Sequence, residues 1–224
     1  MGLKATNLTK KFNGIDVIRN FDFTIEAGEI VTLVGESGTG KTTLMRLLNQ
    51  LEQADNGTIT IDDHYLCRET PGGKIEYASK KERVSYSNQI GMVFQDYQLF
   101  PNLTVMKNCI EAPLDQKLMT KEQAIKKAEL LLKQMNILDK KDVYPSTLSG
   151  GQQQRAAIAR SMMLNPKIIC FDEPTSALDR DSANEVGKMI QSIASSGTGI
   201  LIVTHDIEFA EKFGTRVVSS DTFL

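Results

Sequence analysis

Apolar and polar positions along the chain switch between two spacings. Residues 16–25, DVIRNFDFTI, mix β-branched and aromatic side chains with polar ones as a strand does. Residues 29–35, EIVTLVG, form a short, nearly continuous apolar run that ends in glycine. The following KTTLMRLLNQL changes period: Leu44, Leu47, Leu48 and Leu51 recur at helical spacing. ADNG then reads as a turn and TITI as a strand. Residues 67–89 are polar and broken by Pro and Gly, which predicts an irregular connector with room for some helix. From 103 to 164 the helical period dominates. Thr120 and Gln123 form a capping box there, followed by Ala124, Ala128, Leu131, Met135 and Leu138 on one face, a core stripe. After Asn165-Pro166 strands return: KIICFD, a helix over 182–196 stopped by Gly197, the strand GILIVTH, a short helix IEFAEKF ending at Gly214, and TRVVS. Strand–loop–helix alternation at both ends predicts an α/β fold on a largely parallel sheet, with a helical insertion between. No repeat or low-complexity segment interrupts it.

Composition narrows the class only slightly. A chain of 224 residues has ample length for a substantial core, and 41% hydrophobic with 24% charged residues is ordinary for a globular protein. The formal charge of −2 lacks the basic excess of a general nucleic-acid binder, so no nucleic-acid partner is expected. The longest strong apolar runs, IICF and ILIV, are strand-sized, far below the ~18–20 residues that cross a bilayer. The first residues, MGLKATNLTKKF, lack the apolar centre of a signal peptide. Cys67, Cys109 and Cys170 are far apart, without disulfide or zinc spacing, and are expected as reduced thiols of a cytosolic protein.

Chemistry enters at the glycine turn after the strand EIVTLV. Gly35, Glu36, Ser37, Gly38, Thr39, Gly40, Lys41 and Thr42 satisfy the phosphate-loop pattern between a strand and a helix. The glycines let successive amides face phosphate oxygens, and the helix adds roughly half a positive charge at its N-terminus. Lys41 would neutralise the outer phosphates and the Thr42 hydroxyl would ligate magnesium. IICFDE places Asp172 and Glu173 where a buried strand emerges, one positioned to hold the metal through water and the other to take a proton from attacking water. His205 also follows a strand, where open α/β sheets bind ligands, although a lone histidine is more often structural. Taken singly, Gln95 reads as a surface glutamine and Phe12 as core.

In order, these pieces resemble one family, the ATP-binding cassette (ABC) ATPases, from about residue 3 to 217. The resemblance rests on the phosphate loop at 35–42, Gln95, LSGGQ at 148–152, IICFDE at 168–173, SALD at 176–179 and His205. It implies a P-loop NTPase fold with a RecA-like core, an antiparallel β subdomain within about 1–66, an inserted helical subdomain at about 96–164, and the rest of the core at 165–224. It also implies ATP and Mg2+ bound by a head-to-tail homodimer. Ser149, Gly150, Gly151 and Gln152 of one copy would close over ATP lying in the phosphate loop, Gly35 to Thr43, of the other. Phe12 would stack on adenine, Gln95 would touch magnesium, and Asp172 would hold it through water. Glu173 would be the general base, His205 would contact the γ-phosphate, and Asp179 would communicate across the interface.

The segment MVFQDYQLFPNLTVMKNCIEAPL, with LSGGQQQRAAIARSM, is similar to the members that energise uptake of polar amino acids. That likeness implies transmembrane permease subunits, indirectly a substrate-binding protein, and a peripheral position on the cytoplasmic face of the membrane. Exporter and lipoprotein-release ATPases share much of this segment and are the alternative, with soluble non-transport ABC ATPases further off. Family members usually continue beyond the final strand with a glycine-containing hairpin, a strand and a helix. The ending VVSSDTFL therefore leads one to expect an incomplete C-terminal subdomain and no appended regulatory domain.

Overall fold

The computed structural model describes residues 2–176 and 178–224, so Ala177 of the SALD segment lies outside the described residues. The chain opens with two long antiparallel strands, β1 (Gly2–Phe12) and β2 (Ile15–Glu26). Strand β3 (Ile30–Val34) leads through the glycine loop into helix α1 (Lys41–Leu48). Leu44, Leu47 and Leu48 are buried in that helix, but Leu51 is not on it. Asn49 caps the C-terminus and Gln50 takes a φ of +60°, which turns Leu51 outward to 47% exposure and breaks the expected stripe.

Strands β4 (Asn56–Ile61), β5 (His64–Glu69) and β6 (Ile75–Tyr77) complete an antiparallel sheet ordered β2-β1-β4-β5-β6. Helix α2 (Lys80–Ser87) follows. Residues 67–89 are thus regular for most of their length, a correction to the expected connector. The Pro-Gly-Gly run is the turn of the β5–β6 hairpin, and the polarity belongs to an edge strand. Ser79 and Glu82 form a capping box that starts α2, while Tyr86 is fully buried and donates to the Leu48 carbonyl at 2.9 Å.

Strand β7 (Ile90–Val93) precedes the helical insertion, which comprises α3 (Val105–Asp115), α4 (Lys121–Gln134) and α5 (Gly150–Ser161), with two short 3-10 turns between α4 and α5. The Thr120–Gln123 capping box forms as expected, with Ala124, Ala128, Leu131 and Met135 buried behind it. The core then resumes with β8 (Ile168–Asp172), α6 (Arg180–Ser195), β9 (Gly199–Val203), α7 (Ile207–Phe213) and β10 (Arg216–Ser219). Gly197 ends α6 at a φ of +96°, the left-handed turn anticipated for it. The second sheet is parallel, ordered β10-β3-β9-β8-β7.

This sheet is covered on both faces, which is why its strands read as unbroken apolar runs. Ile30, Ile169, Phe171, Ile200 and Ile202 face the helical insertion, α6 and α7. Their neighbours Val31, Leu33, Ile168, Cys170, Leu201 and Val203 face α1 and the antiparallel sheet. The carboxyl ends of β3, β7, β8 and β9 meet at one edge, and the polar loops gather there. Among the described residues no helix is long and apolar enough to cross a membrane.

Candidate nucleotide site

The phosphate loop leaves β3 and returns as the first turn of α1, with Gly40 at a φ of +96° as the N-cap. A side chain at Gly40 would strike Val17, so close packing as well as backbone geometry requires glycine. Lys41 is only 7% exposed, and its Nζ donates to the carbonyls of Gly35 at 2.8 Å and Glu36 at 2.5 Å. Ser37, Gly38, Gly40, Lys41, Thr42 and Thr43 form one wall of a cleft of about 520 Å3. The opposite wall is Gln95, Asp172, Glu173, Val203 and His205. Residues scattered over the sequence thus meet because β7, β8 and β9 end side by side.

Asp172 is the last residue of β8. Burial raises its carboxyl pKa, the nearby carboxylates of Glu173 and Asp96 raise it further, and Lys41 opposes them. Glu173 follows at a φ of +45°, a left-handed conformation that is strained for a non-glycine residue and is common at functional turns. Its amide is anchored on the Val203 carbonyl at 2.9 Å. Its Oε2 accepts from Thr204 Oγ1 at 3.3 Å and from His205 Nδ1 at 2.9 Å. A carboxylate only accepts, so His205 carries its proton on Nδ1 and presents Nε2 to the cleft side (this tautomer follows from the bonding pattern). Gln95 Nε2 donates to Ser176 Oγ at 3.1 Å, and Ser176 Oγ donates to the Glu173 carbonyl at 3.1 Å.

Thr204 and Ser176 are the positioning groups that sequence reading did not single out. Thr204 had a usable signal, since it sits between a buried strand and His205. Ser176 entered the sequence reading only as the first residue of SALD, and its contact with Gln95, 81 positions away, has no local signal.

The LSGGQ residues lie elsewhere. Ser149 caps α5 in a reciprocal box: Gln152 N donates to Ser149 Oγ, and Ser149 N to Gln152 Oε1 at 3.0 Å. Ser149, Gly150, Gly151 and Gln152 line a second cleft of about 470 Å3, with Asp179 and Ser182 opposite. Asp179 caps α6, and the Ser182 amide and hydroxyl that it accepts hold its carboxyl below the usual carboxylate range. The two clefts share no lining residue. Phe12 lines neither; it is 42% exposed at the end of β1, not core, with Lys10 Nζ 4.9 Å from its ring centroid. The three cysteines are buried free thiols, and burial pushes Cys109 and Cys170 up to about 12, so none offers a thiolate.

Known proteins are similar to this chain in sequence and fold. The chain is 41% identical over 219 residues to the arginine transport ATP-binding protein ArtM of Bacillus subtilis (strain 168), covering 98% of this chain and 87% of the other. It is 42% identical, with the same coverage, to the glutamine transport ATP-binding protein GlnQ of Escherichia coli (strain K12). The dimeric structure of MJ0796, a bacterial ABC transporter cassette, superposes with a TM-score of 0.80 at 33% identity, covering 97% of this chain and 93% of that one. Residues 18–176 match the family model described as ABC transporter. Fold, cleft and sequence agree: the chain belongs to the ABC transporter family.

Proposed function

We propose that the chain is the ATP-hydrolysing subunit of a membrane importer for polar amino acids, working as a head-to-tail pair of copies. The observation that carries the paired mechanism is the separation of the two clefts. The phosphate-loop cleft has a cation, a helix N-terminus and a carboxylate–imidazole pair. The Ser149 cleft has a second helix N-terminus and, in place of a lysine, Arg155, which is paired with Glu185. Each is half of an anion site, and two copies related by a two-fold axis supply both halves twice.

In this reading Lys41 leaves its own loop carbonyls for the outer phosphates, and the amides of Gly38 to Thr42 cradle the remainder. Ser149 Oγ keeps its O–H free to donate while it accepts from Gln152 N, so capping and phosphate contact are compatible. Glu173 Oε1 takes the proton of the attacking water, while Thr204 and His205 hold Oε2 and so fix the carboxylate. Phe12, exposed and held from one side by Lys10, offers its ring to the adenine. Loss of the γ-phosphate removes the anion both copies grip, and the pair opens.

The site fits magnesium. Thr42, Gln95 and Asp172 offer oxygen donors in one cleft, and burial, with the neighbouring Glu173 and Asp96 carboxylates, disfavours the charged form of Asp172, which a bound cation would compensate. The ion would be held by Thr42 and Gln95, with Asp172 through water, and it would draw charge from the phosphate oxygens.

Import of polar amino acids is supported by the printed functions of the relatives, transport of arginine and of glutamine. Identity is nearly equal to both, so cargo choice is assigned to other subunits: a permease pair at the cytoplasmic membrane face and a substrate-binding protein. Reconstitution with these partners should give ATPase activity stimulated by the loaded binding protein, and absence of stimulation would count against import. The paired site has its own test by mixing variants. Lys41→Ala and Ser149→Arg should each be inactive alone. Mixed one to one, they should recover roughly a quarter of wild-type turnover, because half the random pairs are mixed and each carries one intact site. No recovery would mean that one copy supplies both halves.

A further inference from the structure

The phosphate loop is held from below by a segment that the nucleotide reading does not use. After β10 the chain makes a 3-10 turn, Ser220–Phe223, against the underside of the loop. Ser220 is 3% exposed and Phe223 fully buried. The Phe223 ring packs edge-on against Phe21 with centroids 4.8 Å apart, beside Gly40 at the loop's exit. Ser220 lies against Gly35 at the loop's start, so close that a Cβ on Gly35 would collide with its Oγ. Ser220 Oγ and Thr39 Oγ1 are 2.6 Å apart, and Thr39 Oγ1 donates to the Glu36 carbonyl at 2.9 Å.

We propose that the Ser220–Phe223 turn is a brace for the phosphate loop, with Ser220 a positioning residue that sets how readily Lys41 is released to a nucleotide. The inference rests on the nucleotide reading of the 520 Å3 cleft. A hydroxyl has one hydrogen. Thr39 spends its hydrogen on Glu36, so Ser220 must donate to Thr39, and the chain runs Ser220 to Thr39 to the Glu36 carbonyl.

That carbonyl also accepts Lys41 Nζ. When the ammonium moves to phosphate, the Glu36 oxygen loses its charged donor but keeps Thr39, whose orientation Ser220 holds. The carbonyl is therefore not stranded, and the loop keeps its shape at both ends through Ser220 and Phe223. Without the brace the loop explores more conformations before binding, and part of the binding free energy goes to reordering it.

Calorimetric titration of the full chain with magnesium–ADP tests this, using wild type, Ser220→Ala, Thr39→Val, the double variant and Lys41→Ala. One neutral hydrogen bond lost should weaken Kd about three- to tenfold in Ser220→Ala. The KM for ATP should rise in step while kcat at saturating ATP stays within twofold, a split that general loss of folded protein would not give. The double variant should bind no more weakly than Thr39→Val. Unchanged Kd in Ser220→Ala, or losses that add in the double variant, would overturn the brace. Should Ser220→Ala fail to fold, Thr39→Val alone must still weaken binding, and wild-type affinity there refutes the proposal. Lys41→Ala separates the two claims: affinity equal to wild type would defeat the nucleotide reading itself, while its loss beside an unaffected Ser220→Ala defeats only the brace.

Discussion

Glu173 and Asp172 are adjacent carboxylates in opposite situations. Glu173 is held on one oxygen by two donors and anchored by its amide, whereas Asp172 sits half-buried with a raised pKa. Glu173→Gln keeps the shape and removes the base, so hydrolysis should fall by a factor of about 10²–10⁴ in steady-state assays while ATP binding persists. Asp172→Asn should act on stability as well as on metal affinity. A carboxyl whose folded pKa exceeds its unfolded value binds its proton more tightly in the folded chain. Its cost therefore sets in as pH rises through the ordinary value of 3.8 and is complete above the raised one. Without magnesium, Asp172→Asn should melt higher than wild type at pH 7 and equally at pH 3. With magnesium and ATP the order at pH 7 should reverse. Read singly, Phe12, Gln95 and His205 were ambiguous, because local pattern does not say what a side chain faces. Strand ends brought Gln95 and His205 to Glu173, and exposure, not pattern, took Phe12 out of the core.

At the scale of elements, legibility followed how local the determining interactions are. The Thr120–Gln123 box, the strand IICFD and the stop at Gly197 depend on neighbours within a few positions, and all formed as expected. Of the misreadings, Leu51 follows from the local turn at Asn49 and Gln50, which no apolar spacing reveals, whereas the 67–89 connector had a distant cause. Helix α2 gains its only buried side chain, Tyr86, from a pocket between α1 and the sheet, and its own sequence is polar. A similar distant constraint governs Gly187 in α6. A Cβ there would lie 2.5 Å from the Phe213 ring of α7. Gly187→Ala should therefore destabilise the chain by about 1–3 kcal/mol in denaturant unfolding, despite alanine's better helix propensity. Displacing α7 would also disturb His205, which precedes it, so turnover at permissive temperature should fall.

At the scale of the whole molecule, the decisive fact is that Lys41 and Ser149 line different clefts. A hydrolysis-deficient Glu173→Gln chain should run as a dimer in size-exclusion chromatography with magnesium–ATP and as a monomer without it. Adding Ser149→Arg should abolish that dimer while leaving monomer affinity for ATP within about threefold, since removal of contacts from one face leaves the other intact. Loss of monomer affinity would place both clefts on one nucleotide.

The sequence alone determined whatever depends on short spacing: the phosphate loop, the LSGGQ motif, the acidic strand end, and the alternation that predicts a parallel sheet. These are local because amide geometry and side-chain period act over a few residues. Tertiary structure decided which of those pieces share a cleft, that Thr204 holds the Glu173 carboxylate and Ser176 the Gln95 side chain, and that Ser220 and Phe223 lie beneath the glycines. Such contacts join residues as far apart as Thr39 and Ser220, 181 positions, and the packing that creates them leaves no trace in any local pattern.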